Sequence, residues 1–164
     1  MTIREVLLLG NPQLYERSEP IAPHEGGMVE ELVADLHDTL MDFRRRHGAG
    51  RAIAAPQIGV KKRLLYMHIG EPTVFINPVL VDKSPVMFAV WDDCLCFPDL
   101  LVKVRRHRSC RIRYRDPHGH ERDRFLKDDL SELLQHEYDH LDGILAVSRA
   151  IDGRSLALRG QKPE

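Results

Sequence analysis

The run Gln135-His136-Glu137-Tyr138-Asp139-His140-Leu141-Asp142-Gly143 constrains this chain more than any other stretch. Two histidines four apart on a helix stand one turn above each other and can grip a single ion. At about 100° per residue, Leu130, Leu134 and Leu141 form one apolar arc, with Leu133 at its edge. Glu137 falls in the middle of that arc and the histidines lie on its flank. Packing the arc therefore buries a carboxylate among apolar groups, which is costly without compensation. A metal ion with a proton to shuttle would compensate it; so would an arginine partner beside two ordinary core histidines. Asp128 and Asp129 are placed to cap the start of this helix, and Gly143 to stop it.

Two histidines do not complete a catalytic metal centre, which takes three protein ligands and a water. The extended motif with a third histidine is absent, because Ala146 stands six residues after His140. The candidates include Cys94, Cys96 and Cys110, and spacing alone does not choose among them. Three is an odd number and too few to scaffold a disulfide-rich secreted domain. No basic leader with a long apolar core opens the chain, so a reducing, cytoplasmic setting is expected.

The rest of the chain reads as a frame for that helix. At 164 residues it is long enough for one domain, 1–164, which buries roughly two thirds of its unfolded surface. Val29, Leu32, Val33, Leu36, Leu40 and Phe43 recur at helical spacing and predict one long amphipathic helix ending near His47, stopped by Gly48 and Gly50. Residues 63–68 and 73–81 read as strands, with Gly70-Glu71-Pro72 and Asn77-Pro78 as punctuation. Residues 111–115, turning at Asp116-Pro117-His118-Gly119 and returning through Phe125, predict a hairpin with a basic face. With no alternation of strand and crossover helix, the class is α+β: antiparallel strands packed around a C-terminal metal-binding helix, with one long N-terminal helix.

Composition excludes two partner classes. No apolar run approaches the roughly 20 residues of a membrane helix. With 24 Lys and Arg against 25 Asp and Glu, the chain lacks the charge expected of a nucleic-acid binder, and no sequence-specific nucleic acid is expected.

Three stretches together resemble the peptide deformylases, which remove the N-formyl group from nascent chains. They are Gly50-Arg51-Ala52-Ile53-Ala54-Ala55-Pro56-Gln57, Asp92-Asp93-Cys94-Leu95-Cys96, and Gln135 to Gly143, which matches the family's third motif at every fixed place. The opening Leu9-Gly10-Asn11-Pro12-Gln13-Leu14 is also similar. The resemblance implies that Cys94, His136 and His140 hold one divalent ion per chain, Fe2+ in cells with Zn2+, Ni2+ or Co2+ as alternatives. It implies Glu137 as general base, and Gln57 with the Leu95 N–H as donors to an oxyanion. Substrate would lie against Gly50, Arg51, Ala52, Asp92, Asp93 and Glu132, and the ribosome would be a further contact.

Departures gather on that substrate side. Arg51 and Ala52 stand at an apolar and a glycine place, Asp92 and Asp93 at a glutamate and a glycine, and Cys96 at a serine. Leu101 stands at a substrate-binding arginine, and Glu132 at an apolar place of the methionine pocket. Unpaired, Arg51 and Glu132 would disfavour a thioether guest; paired, they would restore a neutral wall. The resemblance thus implies hydrolysis of N-formyl-methionyl peptides. A different small formylated amine, or a catalytically weak chain that binds formylated ends or the ribosome, are the alternatives. Asp139 is expected either to pair with Arg106 or to be an exposed charge.

Overall fold

In the computed structural model, which describes residues 2–163, the two predicted helices sit on opposite faces of one antiparallel sheet. Helix α1 spans Gly26–His47 and α2 spans Asp129–Leu141. The sheet between them runs in the order β1 (Ala52–Ala54), β2 (Leu64–Ile69), β3 (Glu71–Val81), β6 (Ser109–Arg115), β7 (Glu121–Lys127). A smaller sheet pairs β4 (Met87–Asp92), β5 (Leu100–His107) and β8 (Leu156–Leu158), also antiparallel.

Strand β2 shows why the large sheet is covered twice. Side chains alternate across a strand, and here both phases are apolar: Leu64 and Tyr66 pack with Leu36 and Leu40 of α1, while Leu65 and Met67 pack with Leu134 and Leu141 of α2. A strand buried on both faces reads as a continuous apolar run rather than as an alternation. A third apolar cluster of Leu14, Cys96, Phe97, Val102, Val104 and Leu145 fills the space beside the small sheet.

Three local expectations change in detail. Asn77-Pro78 does not interrupt β3 but forms a bulge within it, between Ile76 and Val79. Asn77 adopts φ 49° there, and its side chain closes two hydrogen bonds with the backbone of Ile21. The β6–β7 hairpin is present, yet its arginines do not make a basic face, because Arg111 and Arg113 pair with Asp123, and Arg115 with Glu121. Asp128 stands at the N-cap position of α2, but its carboxylate goes to Arg108 at 2.9 Å and caps nothing.

The other end of α2 follows the expectation. Gly143 takes φ 71°, the left-handed conformation that ends many helices. A Cβ there would lie 2.4 Å from the backbone oxygen of Tyr15. Gly143→Ala should therefore lose about 3 kcal/mol, from left-handed strain plus overpacking, read as a lower midpoint in urea unfolding. No helix among the described residues is long and apolar enough to cross a membrane.

Candidate metal centre

Helix α2 carries His136, Glu137 and His140 on its buried face. Across from them the chain leaves β4 at Asp92 and turns through Asp93-Cys94-Leu95-Cys96, the turn closed by the Phe97 N–H donating to the Cys94 carbonyl at 3.1 Å. The turn delivers Cys94 Sγ to 3.4 Å from His140 Nε2, which is itself 3.2 Å from His136 Nε2. These three ligand atoms lie within 4.8 Å of one another and all three residues are buried. Among the described residues this is the one group of three His, Cys, Asp or Glu side chains so arranged. Of the three cysteines, Cys94 is the one the fold brings together with both histidines. Cys96 is buried beside it with Sγ 3.4 Å from Gln57 Nε2, and Cys110 lies near Ser131.

A row of charges behind the centre fixes the helix. His136 Nδ1 meets Asp92 Oδ2 at 2.8 Å, which leaves Nε2 free to face Cys94 and His140. Arg106, from β5 and only 2% exposed, donates to Asp92 at 2.9 Å and to Asp139 at 2.7 Å. Arg149 adds two bonds to Asp139, at 2.6 and 2.9 Å. Asp139 is therefore a buried, paired residue and not a surface charge. Asp92 spends its carboxylate on His136 and Arg106, so it supports the centre as well as bordering the cavity in front of it.

The ionisable groups feel this crowding. Burial opposes the charged form of His136, but the Asp92 carboxylate against its ring raises it to about 9. Burial would raise Asp92, yet His136 and Arg106 hold it down near 2. Burial pushes the Glu137 carboxyl up to about 7. Burial, and next the neighbouring His136, take His140 well below its ordinary value, while burial and Cys96 take the Cys94 thiol well up. Glu137 Oε2 is buried without a hydrogen-bond partner. A thiol and two imidazoles converging beside an unsatisfied carboxylate is a donor set that a divalent cation fits, and seating one favours the thiolate and neutral imidazoles over the metal-free forms.

A cavity of about 250 Å³ opens in front of Cys94, His136 and Glu137. Phe43 and Leu133 give it apolar walls, and Gly50, Arg51, Ala52, Asp92, Asp93 and Leu95 all border it. Gly50 takes φ 132°, and a Cβ there would press on Leu40 and Phe43 at 3.3 Å. Arg51 Nη2 pairs with Glu132 Oε1 at 2.7 Å, so the two departures neutralise each other; Glu132 meets the cavity only through Arg51. The Leu95 N–H has no partner among the described residues.

Gln57 is fully buried and does not border the cavity. Its Oε1 accepts from the Ala54 N–H at 2.8 Å and its Nε2 points at Cys94 Sγ and Cys96 Sγ. The segment before the first turn ties both loops together, Leu7 N–H donating to the Gln57 carbonyl at 2.8 Å and Leu9 N–H to the Cys96 carbonyl at 2.9 Å.

As cavity residues, sequence reasoning named neither the walls Phe43, His47 and Leu133, nor Pro98 and Asp99, nor the residue furthest from the motifs, Arg159, which follows β8. Leu156–Leu158 is too short to show a period, and its pairing partner, β5, is remote in the chain, so no local signal marks it.

The profile of the family described as Polypeptide deformylase matches residues 3–155. The peptide deformylase of Pseudothermotoga lettingae is 34% identical over 157 residues, covering 96% of this chain and 88% of the relative. Among solved structures, the peptide deformylase of Thermotoga maritima superposes with a TM-score of 0.83 at 25% identity, over 93% of this chain and 100% of that one. An actinonin-bound class I type b peptide deformylase of Acinetobacter baumannii superposes with a TM-score of 0.82 at 26% identity, over 91% of this chain and 99% of that one.

Proposed function

The chain belongs to the polypeptide deformylase family, and from that premise we propose that it is a metal-dependent hydrolase removing the N-formyl group from N-formyl-methionyl peptides and releasing formate. The observation that carries the reading is the convergence of Cys94, His136 and His140 beside Glu137 at the inner end of a cavity.

Cys94 Sγ and the Nε2 atoms of His136 and His140 would hold the ion, Fe2+ in the cell. A divalent ion held there supplies Lewis acidity toward water and the formyl oxygen. Glu137, its carboxyl near 7, takes a proton from the attacking water and returns it to the amine nitrogen as the C–N bond breaks. Formate and a free amino terminus result. The unpartnered Leu95 N–H donates to the oxyanion, while Gln57, its Oε1 fixed on Ala54, stands behind the cavity wall with Nε2 facing Cys94 and Cys96 and positions that turn.

The methionine side chain lies in the cavity against Phe43 and Leu133. Pairing Arg51 with Glu132 removes the isolated charge that would disfavour a thioether. The three cysteines are free, which suits the reducing cytoplasm in which a nascent chain is met.

The test is formate release from formyl-Met-Ala-Ser by protein loaded anaerobically with Fe2+, beside Zn2+ and Ni2+ preparations and a panel of other formylated amines. Turnover of the peptide is expected. Formate from the other amines alone would overturn the substrate, and peptide binding without formate would overturn the enzyme. Removing the ion with a chelator should reduce turnover to background. If the ion is present at about a hundred times its Kd, its removal should also cost about 2.7 kcal/mol, a fall in Tm of about 5–10 °C by calorimetry.

A further inference from the structure

One wall of the cavity lies beyond the part of the chain that the family profile matches. The match ends at residue 155, while Arg159 borders the cavity from after β8. Strand β8 pairs with β5, Leu158 against Leu100 and Ala157 against Leu101, and the Arg159 N–H extends the contact by donating to the Asp99 carbonyl at 2.8 Å.

The guanidinium is held on two sides. Nε donates to the Pro98 carbonyl at 2.9 Å and Nη2 to Asp93 Oδ2 at 3.1 Å. Nη1 has no partner among the described residues, and the side chain is 49% exposed. An arginine fixed in this way presents donors with little rotamer freedom left to lose on binding. Asp93 already balances its charge, and Asp99 borders the same cavity. Such a site favours a neutral oxygen acceptor over a further anion.

We propose that Arg159 is a specificity-determining residue that donates from Nη1 to a main-chain carbonyl oxygen of the substrate beyond its formyl-bearing residue. The inference rests on the reading of the cavity as a formyl-peptide site. It makes the short last strand part of the recognition surface: β8 sets Arg159 at the rim, and Asp93, next to Cys94 in the chain, aims it.

The experiment compares formyl-Met-Ala-Ser, the same peptide with an amidated end, and formyl-methioninamide, which has no main chain beyond its first residue. Arg159→Ala should narrow the preference for the tripeptide over formyl-methioninamide about tenfold, the size of one charged hydrogen bond. The loss should fall on KM, with Arg159→Lys recovering part of it. Amidating the peptide should leave the effect in place; if the effect vanished, the contact would be to a terminal carboxylate and the carbonyl assignment would be overturned. An equal loss on both substrates would point to support of the loop alone and would also overturn it.

Binding supplies a readout independent of turnover. In a Glu137→Gln background, calorimetric titration with formyl-Met-Ala-Ser amide should show Arg159→Ala weakening binding about tenfold, and unchanged binding would overturn the proposal. Absence of formate release from the parent protein would count against the metal-centre reading instead, with the titration still deciding the role of Arg159.

Discussion

Glu137→Gln should yield a folded chain that keeps its ion and releases formate about 10²–10⁴-fold more slowly, the range of a positioned general base. The substitution preserves shape and removes the buried, unpartnered carboxylate beside the three converging donor atoms, the group proposed to accept a proton and return it. Glu137 is 3% exposed and its Oε2 has no partner, so its carboxylate contributes little to holding the fold. An amide at that place costs no buried charge, and stability should stay level or rise. The atoms proposed to hold the ion belong to Cys94, His136 and His140, so metal content measured by atomic absorption should remain near one per chain. Normal formate release from the metal-loaded variant would show that another group moves the proton. Loss of metal together with activity would show that Glu137 helps hold the ion.

Arg106→Leu should be the most destabilising single change behind the centre, at about 3–5 kcal/mol, because it strands carboxylates in the interior. Asp139 keeps Arg149 as a partner, at 2.6 and 2.9 Å. Asp92 keeps only His136, and its charge is then poorly compensated. Urea unfolding measures the loss, and adding Asp92→Asn to the variant should restore part of it by removing the stranded charge. The same change loosens the grip of Asp92 on the His136 ring, so metal affinity should fall about 10–100-fold, as for other partners of metal-bound histidines. A variant as stable as the parent would mean that the network organises the site without supporting the fold.

The readable parts of this molecule are those whose reason is local. Helix α1 announces itself by Val29 to Phe43 at helical spacing, and the ion-gripping pair on α2 by a separation of four with a carboxylate in the apolar arc. Spacing alone did not separate Cys94 from the other cysteines; the resemblance named it, and the turn after β4 is what brings it to the histidines of α2. Arg106 shows a second limit. It falls on the inward phase of β5 beside Val102 and Val104, where a charge is unexpected, and its burial makes sense only with Asp92 and Asp139 arriving from two other elements. The hairpin arginines were misleading for the converse reason, since their acidic partners, Asp123 and Glu121, come from the returning strand. Arg51 and Glu132 read as two misfits in sequence and resolve into one neutral pair in space.

The placement of β8 sets an order of assembly for a chain emerging from its amino end. The sulfur and both imidazoles are in hand once α2 is complete, whereas Arg159 joins the rim only after the last strand zips onto β5. A version clipped just after Arg149 would keep all three converging donor residues and lose the arginine that closes the mouth.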